Sequence, residues 1–397
     1  MHHIYLVPGF FGFTNLGRLR YFAHVREFLT QRCAAMGLKT AIHVVKTVPT
    51  SSLPKRAARV LETMAESMHP GTGSVHLIGH SSGGLDARLA AAPNVSLPTA
   101  LDVGRFAARI RTIISVATPH YGTPVASFFT GLLGQKLLRV VSLSTMYLLR
   151  FGHLPLSALL QLGAVFARLD TRGANSALLD ELFGHLLEDF SIGRRRAVQA
   201  LFREVARDQA LLVQVAPEGM DLFNALACNR PGVRYGCVVT GAARPGIAST
   251  LTTGLDPSAQ ATHAIYGRLY RLAARTPRRR LPPLTEAQGR FLRHAYGTLP
   301  SLAANDGIVP TRSQLWGDII HAAQADHLDV IGHFGDTSHV PPHIDWLATG
   351  SHFGKKEFDA LWTDVVDYIV GSPREAVDQS RSRGRPAARP RVDLEMV

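Results

Sequence analysis

The stretch Gly79-His80-Ser81-Ser82-Gly83 sets a serine between two glycines, directly after the apolar run VHLIG and directly before the helix-forming GLDARLAA. A serine hydroxyl attacks a carbonyl only when a base removes its proton and donors hold the oxyanion that results. A turn sharp enough to lift one serine clear of a strand end leaves no room for side chains two residues before or after it, and glycine meets that demand at both places. Ser81 is central and is the candidate nucleophile. Ser82 would lend its main-chain N–H, at the positive end of the helix that follows. A second donor is expected from LVPGFFGF, where a glycine-rich turn lets the N–H of Phe10 face the same point. Each run alone is also compatible with an ordinary glycine turn.

The base and the acid that steadies it should follow the serine in the order acid, then histidine. AANDGIVP offers Asp306 in a turn-rich loop, and 21 residues later ADHLDVIGHF offers His327. Asp306 would hold the imidazole of His327 in one tautomer and stabilise its charged form. Spacing does not choose between His327 and its neighbours, because His333, His339, His343 and His352 crowd the same end of the chain. Asp318, Asp326, Asp329 and Asp336 crowd it equally.

These groups need a scaffold. IYLVPG, TAIHVVK, SVHLIGHS, RTIISVATP and VRYGCVVTGA read as buried strands, alternating with helical patterns such as LPKRAARVLETMAESM, where Ala58, Leu61 and Ala65 recur at helical spacing. That alternation predicts an α/β fold: a mostly parallel central sheet with helices on both faces. The rhythm breaks after about Val125. The chain becomes helical and Leu-rich, with VQALFREVARDQALLVQV placing Val198, Leu201, Phe202, Val205 and Leu212 on one face. From Val125 to Leu169 there is no acidic residue, while Lys136, Arg139, Arg150 and Arg168 are basic. FGHLPLSALLQLGAVFA is uncharged, but His153, Pro155 and Gln161 interrupt it and a spanning helix needs about 20 mostly apolar residues. It reads instead as part of a helical lid over an apolar site. The expected organisation is a catalytic core of residues 1–124 and 227–371, a helical lid of residues 125–226, and a disordered basic tail of residues 372–397.

Composition narrows the partners. With 46% hydrophobic and 18% charged residues the chain is globular rather than disordered. The net charge of +13 comes largely from RLYRLAARTPRRRLPP and the arginine-rich tail. Neither carries a nucleic-acid motif, so no specific nucleic acid is expected, whereas an anionic membrane or lipid surface suits the charge. Cys33, Cys228 and Cys237 match neither a disulfide framework nor a metal pattern. The opening MHHIYLVPGFFG enters strand-like sequence at once and has no secretory signature, which predicts a cytoplasmic protein, peripheral to membranes if it meets them.

LVPGFFGF, GHSSGG, NDGIVP and DHLDVIG, in that order, resemble the α/β-hydrolase superfamily, and within it the true bacterial lipases of the triacylglycerol lipase type. ISVATPHYGTPVA and APEGMDLFN resemble the segments that leave and rejoin the core around the lid of those enzymes. The resemblance spans Ile4 to about Ile369, with 126–210 matched only as a helical insertion. It implies catalytic Ser81, Asp306 and His327, an oxyanion hole at Phe10 and Ser82, and hydrolysis of lipidic or acyl esters through an acyl-enzyme, with no cofactor. Acyl transfer or thioester hydrolysis by the same residues, or a catalytically inactive binding protein, remain the alternatives. Pro8-Gly9 stands where the family has His-Gly. The resemblance also implies a structural calcium near Asp329, although the usual upstream carboxylate and downstream amide are not evident and His333 stands near the latter's place.

Overall fold

The computed structural model describes residues 1–10, 21–68, 73–151, 153–167, 176–246, 249, 256–336, 338–340 and 342–371. Strands β1 (His2–Val7), β2 (Thr40–Val44), β3 (Ser74–His80), β4 (Ile110–Val116), β5 (Arg234–Thr240) and β6 (Asp318–Ala323) form one sheet. Its order is β2-β1-β3-β4-β5-β6, and every neighbouring pair is parallel. β6, DIIHAA, escapes the sequence reading because a charge opens it and His321 interrupts its apolar run.

Alternate residues of each strand feed two cores. Ile4, Leu6, Ile78, Ile114 and Ile320 pack with helix α1 (Ala23–Ala35) and with the last helix, Lys355–Val370. Tyr5, Val7, Val75, Leu77 and Ile113 pack with α2 (Leu53–Ser67) and α3 (Ser82–Ala91). Burial on both faces explains why the strands read as unbroken apolar runs. On α2 the buried positions include Ala57, Ala58, Val60, Leu61 and Met64, with Ala65 half-buried, so the expected Ala58–Leu61–Ala65 face lies inward within a broader buried stripe. A short helix, α4 (Val103–Ala107), begins where the Asp102 carboxylate accepts the Arg105 N–H.

Between β4 and β5 lie α5 (Pro124–Phe129), α6 (Leu132–Phe151), α7 (Leu156–Ala167), α8 (Ser176–Glu188), α9 (Ile192–Arg207), α10 (Ala210–Gln214) and α11 (Pro217–Leu226). They build a core of their own around Leu143, Leu162, Phe166, Leu182 and Phe202, which α12 (Pro257–Ala273) joins from the main body. The segment leaves and returns at one point: the Thr123 N–H donates to the Val215 carbonyl at 3.1 Å. VQALFREVARDQALLVQV is not one helix. Asp208 ends α9, its carboxylate accepting from Ala210 N–H and from Lys55. Val198 and Phe202 are buried on α9 and Leu212 on α10, while the side chains of Leu201 and Val205 lie outside the described set.

No helix of the described residues is long and apolar enough to cross a membrane. Lys136 is paired with Asp180 at 2.7 Å, and the Arg139 guanidinium lies 4.4 Å from the centre of the Phe183 ring. The segment's exposed surface carries Leu132, Leu156, Leu160 and Ile192. The expected basic tail, residues 372–397, lies outside the described residues. α13 (Glu286–Tyr296) opens with a capping box, Thr285 and Gln288 bonding each other's main chain, and the last helix is α14 (Lys355–Val370). Cys33 and Cys237 are buried and Cys228 is exposed, and no disulfide joins them.

Candidate active site

Strand order reverses between β1 and β3, since β2 lies to one side of β1 and the later strands to the other. In open parallel sheets such a reversal opens a crevice at the carboxyl ends of the strands. Gly9 follows β1 and Ser81 follows β3, so both sit there.

Ser81 holds φ 55° and ψ −133°, a left-handed backbone that a side-chain-bearing residue adopts only under constraint. A Cβ on Gly79 would strike the main chain of Gly83, and one on Gly83 would strike the Val7 carbonyl. A Cβ on Gly9 would come within 2.5 Å of the Ser81 Cβ. The glycines are therefore what lets β1, the turn and α3 crowd together around Ser81. All ten residues of α3 are buried, which is why it carries three alanines and two glycines rather than an amphipathic stripe.

His327 and Asp306 meet. The Asp306 Oδ2 accepts from His327 Nδ1 at 2.9 Å, from Thr240 Oγ1 at 2.7 Å and from Gln314 Nε2 at 3.1 Å. Its Oδ1 accepts the N–H groups of Ile308 at 3.0 Å and Val309 at 2.7 Å. Both side chains are buried. Five donors leave the carboxylate one orientation, and that orientation fixes the proton on His327 Nδ1 and the lone pair on Nε2. None of the rival histidines bonds to Asp306 among the described residues.

A second network ties the loops together. His80, buried and held neutral because burial pushes its pKa well below the usual value, bonds through Nε2 to the His327 carbonyl at 2.8 Å. That N–H donation leaves Nδ1 to accept from the Tyr21 hydroxyl at 2.6 Å, and the Tyr21 oxygen accepts from the Gly9 N–H at 3.4 Å. Arg56 and Asp86 form a buried ion pair at 2.7 Å, and Arg56 Nη2 also donates to the Pro8 carbonyl at 2.8 Å. Burial raises Asp86 to about 6 while Arg56 pulls it the other way. Tyr21, Arg56, His80, Asp86, Thr240 and Gln314 were not foreseen. An Arg and an Asp set inside apolar helical stretches were the one available sign, since charges so placed are buried only when paired.

Ser81, Ser82, Phe10 and His327 all line one cavity of about 410 Å³, within the range of small-molecule sites. Its far walls are apolar: Phe129, Leu138, Leu162 and Phe166 from the inserted helices and Trp346 and Leu347 from the loop after His327. Ser82 is the first residue of α3, so its N–H has no partner within the helix. In this arrangement no hydrogen bond joins the Ser81 hydroxyl to His327; such bonds often close only when substrate arrives.

No protein-family model matches the sequence, nor does any curated protein. Solved structures do. Lipase 1 from Pelosinus fermentans superposes with a TM-score of 0.50 at 15% identity, over 94% of this chain and 99% of that one. The chain has the α/β-hydrolase fold. EstA from Clostridium botulinum (TM-score 0.48, 16% identity, 91% of this chain and 87% of that one) and Staphylococcus hyicus lipase (0.48, 14%, 93% and 95%) are also similar.

The calcium that the sequence resemblance implies finds a different setting from the expected one. Asp329 approaches Asp326 and Asp345, with carboxylate oxygens within 4.8 Å of one another, and no carboxylate upstream of Asp306 joins them among the described residues. His333 stands apart, against Trp346. Asp326 Oδ1 is taken by the Leu328 and Asp329 N–H groups, and Asp329 Oδ2 by the Asp326 N–H and the Ser351 hydroxyl. Burial first, then the neighbouring Asp345, raises the pKa of Asp329 to about 8. Calcium asks for six to eight oxygens; three carboxylates whose oxygens are largely committed to main-chain and Ser351 donors do not fit that demand.

Proposed function

We propose that the protein is a serine hydrolase that cleaves carboxylic esters of lipidic substrates through an acyl-enzyme. The observation that carries this reading is Ser81 on a left-handed turn in the same apolar cavity as His327, whose Nδ1 is held by Asp306. Ser81 Oγ attacks the ester carbonyl as its proton passes to His327 Nε2, and Asp306 stabilises the imidazolium. The N–H groups of Phe10 and Ser82 hold the oxyanion. Collapse returns the proton to the departing alcohol and leaves an acyl ester on Ser81, which water, activated by the same imidazole, then hydrolyses. No cofactor enters these steps. Residues 125–226 act as a lid whose apolar inner face shapes the acyl site, with Leu132, Leu156 and Leu160 available to a lipid surface.

The test is a panel of p-nitrophenyl esters of rising chain length, with fluorophosphonate labelling in parallel. Parent protein should turn over the esters and take up the probe, and Ser81→Ala should lose both while melting at the same temperature. Turnover surviving in Ser81→Ala would end the assignment. A parent that neither labels nor turns over would point to a binding protein, and ester products formed when an alcohol is added would point to acyl transfer.

A further inference from the structure

The histidines that spacing could not sort from His327 gather elsewhere. His24 in the first turn of α1, and His339 and His343 in the loop beyond His327, bring ring nitrogens within 4.8 Å of one another. The His24 and His343 rings stack at 3.7 Å between centres, and His339 lies 5.3 Å from His24 and 5.0 Å from His343. Glu27, one turn along α1 from His24, places Oε1 3.5 Å from His339 Nε2.

His343 is oriented as a metal-binding histidine is. Its Nδ1–H donates to the Gly332 carbonyl at 2.8 Å, which puts the lone pair on Nε2. That Nε2 is buried and has no hydrogen-bond partner among the described residues. A buried, unsatisfied acceptor costs on the order of a hydrogen bond and calls for an explanation. Gly332, at φ 101°, is what allows the approach, because a Cβ there would lie 2.7 Å from the His24 Cβ.

We propose that His24, His339 and His343 form a transition-metal site, for zinc(II) by preference, with Glu27 or water completing the shell. Three imidazoles and a carboxylate suit zinc and its borderline neighbours rather than calcium or magnesium. Zinc–nitrogen bonds of about 2.0–2.1 Å hold tetrahedral ligands about 3.3 Å apart, so binding draws the three nitrogens inward by roughly 1.5 Å at most. The site clips α1 to the chain that continues directly into Ile344–Ala348, which walls the cavity. The metal thus sets the position of that wall without touching Ser81.

The experiment uses the untagged full chain, stripped with chelator and titrated with zinc chloride by calorimetry and thermal melting. One zinc per chain at submicromolar Kd, with a raised Tm, is expected. His339→Gln and His24→Gln should each weaken zinc at least tenfold, and His185→Ala, an exposed histidine on α8, should leave it unchanged. His339 is partly exposed, so His339→Gln should melt with the stripped parent and report on binding alone. X-ray absorption spectra at the zinc edge of the loaded chain should show imidazole nitrogens at about 2.0 Å. Zinc binding by both variants with the parent's affinity, or none to the parent at 10-fold excess over 1 µM, would overturn the site, and neither result would bear on ester hydrolysis at Ser81.

Discussion

Asp306→Asn separates a tautomer lock from a mere neighbour of His327. Asparagine keeps one acceptor and turns the other oxygen into an NH2 donor. If the NH2 replaced Oδ1 it would face the N–H groups of Ile308 and Val309, which cannot turn, giving two donor–donor conflicts at about 1–3 kcal/mol each. The amide therefore settles with NH2 in the place of Oδ2, facing Thr240, Gln314 and His327. Thr240 can rotate its hydroxyl to accept, and Gln314 keeps its bond to the Thr240 carbonyl. His327 accommodates by moving its proton to Nε2, which leaves the nitrogen facing the cavity unable to act as a base. The expected outcome is a loss of stability of about 1–3 kcal/mol, from the Gln314 conflict, and a fall in kcat of about 10⁴. Urea denaturation and p-nitrophenyl ester turnover read the two separately. A variant that kept more than a tenth of its kcat would refute the lock, whatever its stability.

Gly83→Ala forces a Cβ against the Val7 and Pro8 carbonyls; it should cost about 1–3 kcal/mol and, by moving Ser81 and Phe10 up to 1 Å, about 10²-fold in kcat. Gly184→Ala on α8, where a Cβ meets open space, should instead stabilise by about 0.5–1 kcal/mol, and equal behaviour of the two variants would contradict the close approach. Buried His76 and His333, both lowered to about 3, and His80 and His120, both well below 6.5, are neutral in the fold and charge when it opens. Their stabilisation is whole above about pH 6.5 and is lost as pH falls below it, at up to about 1.4 kcal/mol per unit for each. Asp326 and Asp329, raised, act in the opposite sense, favouring the fold at low pH and weakening it as pH climbs from about 4 towards 8. Asp86 and Asp345, both raised to about 6, act with these two, so four carboxylates offset the four histidines between pH 6.5 and 5.5 and the urea midpoint should change little there; a midpoint that fell steeply over that unit would contradict the balance.

The groups legible in the sequence were those whose geometry is local. Ser81 announces itself because a tight turn demands glycine at fixed offsets, and both glycines prove to be sterically obligatory. Asp306 and His327 became visible together, through motif order, whereas spacing among crowded histidines could not choose. What stayed hidden joins residues distant in the chain: Arg56 with Asp86 and Pro8, Tyr21 with His80, Thr240 and Gln314 with Asp306. No periodicity encodes such pairings, since each depends on which loops the sheet brings side by side. The break at Asp208 was missed for a related reason: a helix boundary marked by a carboxylate that bonds its own main chain two residues on leaves no trace in the apolar period.

The bond between Thr123 and Val215 gives the protein a socket. Everything threaded between those residues enters and exits through a single gap in the scaffold, and Ser81, Asp306 and His327 all lie outside it. Divergent descendants could therefore swap this whole cassette, and with it the shape of molecule accepted, while inheriting the reacting centre unchanged.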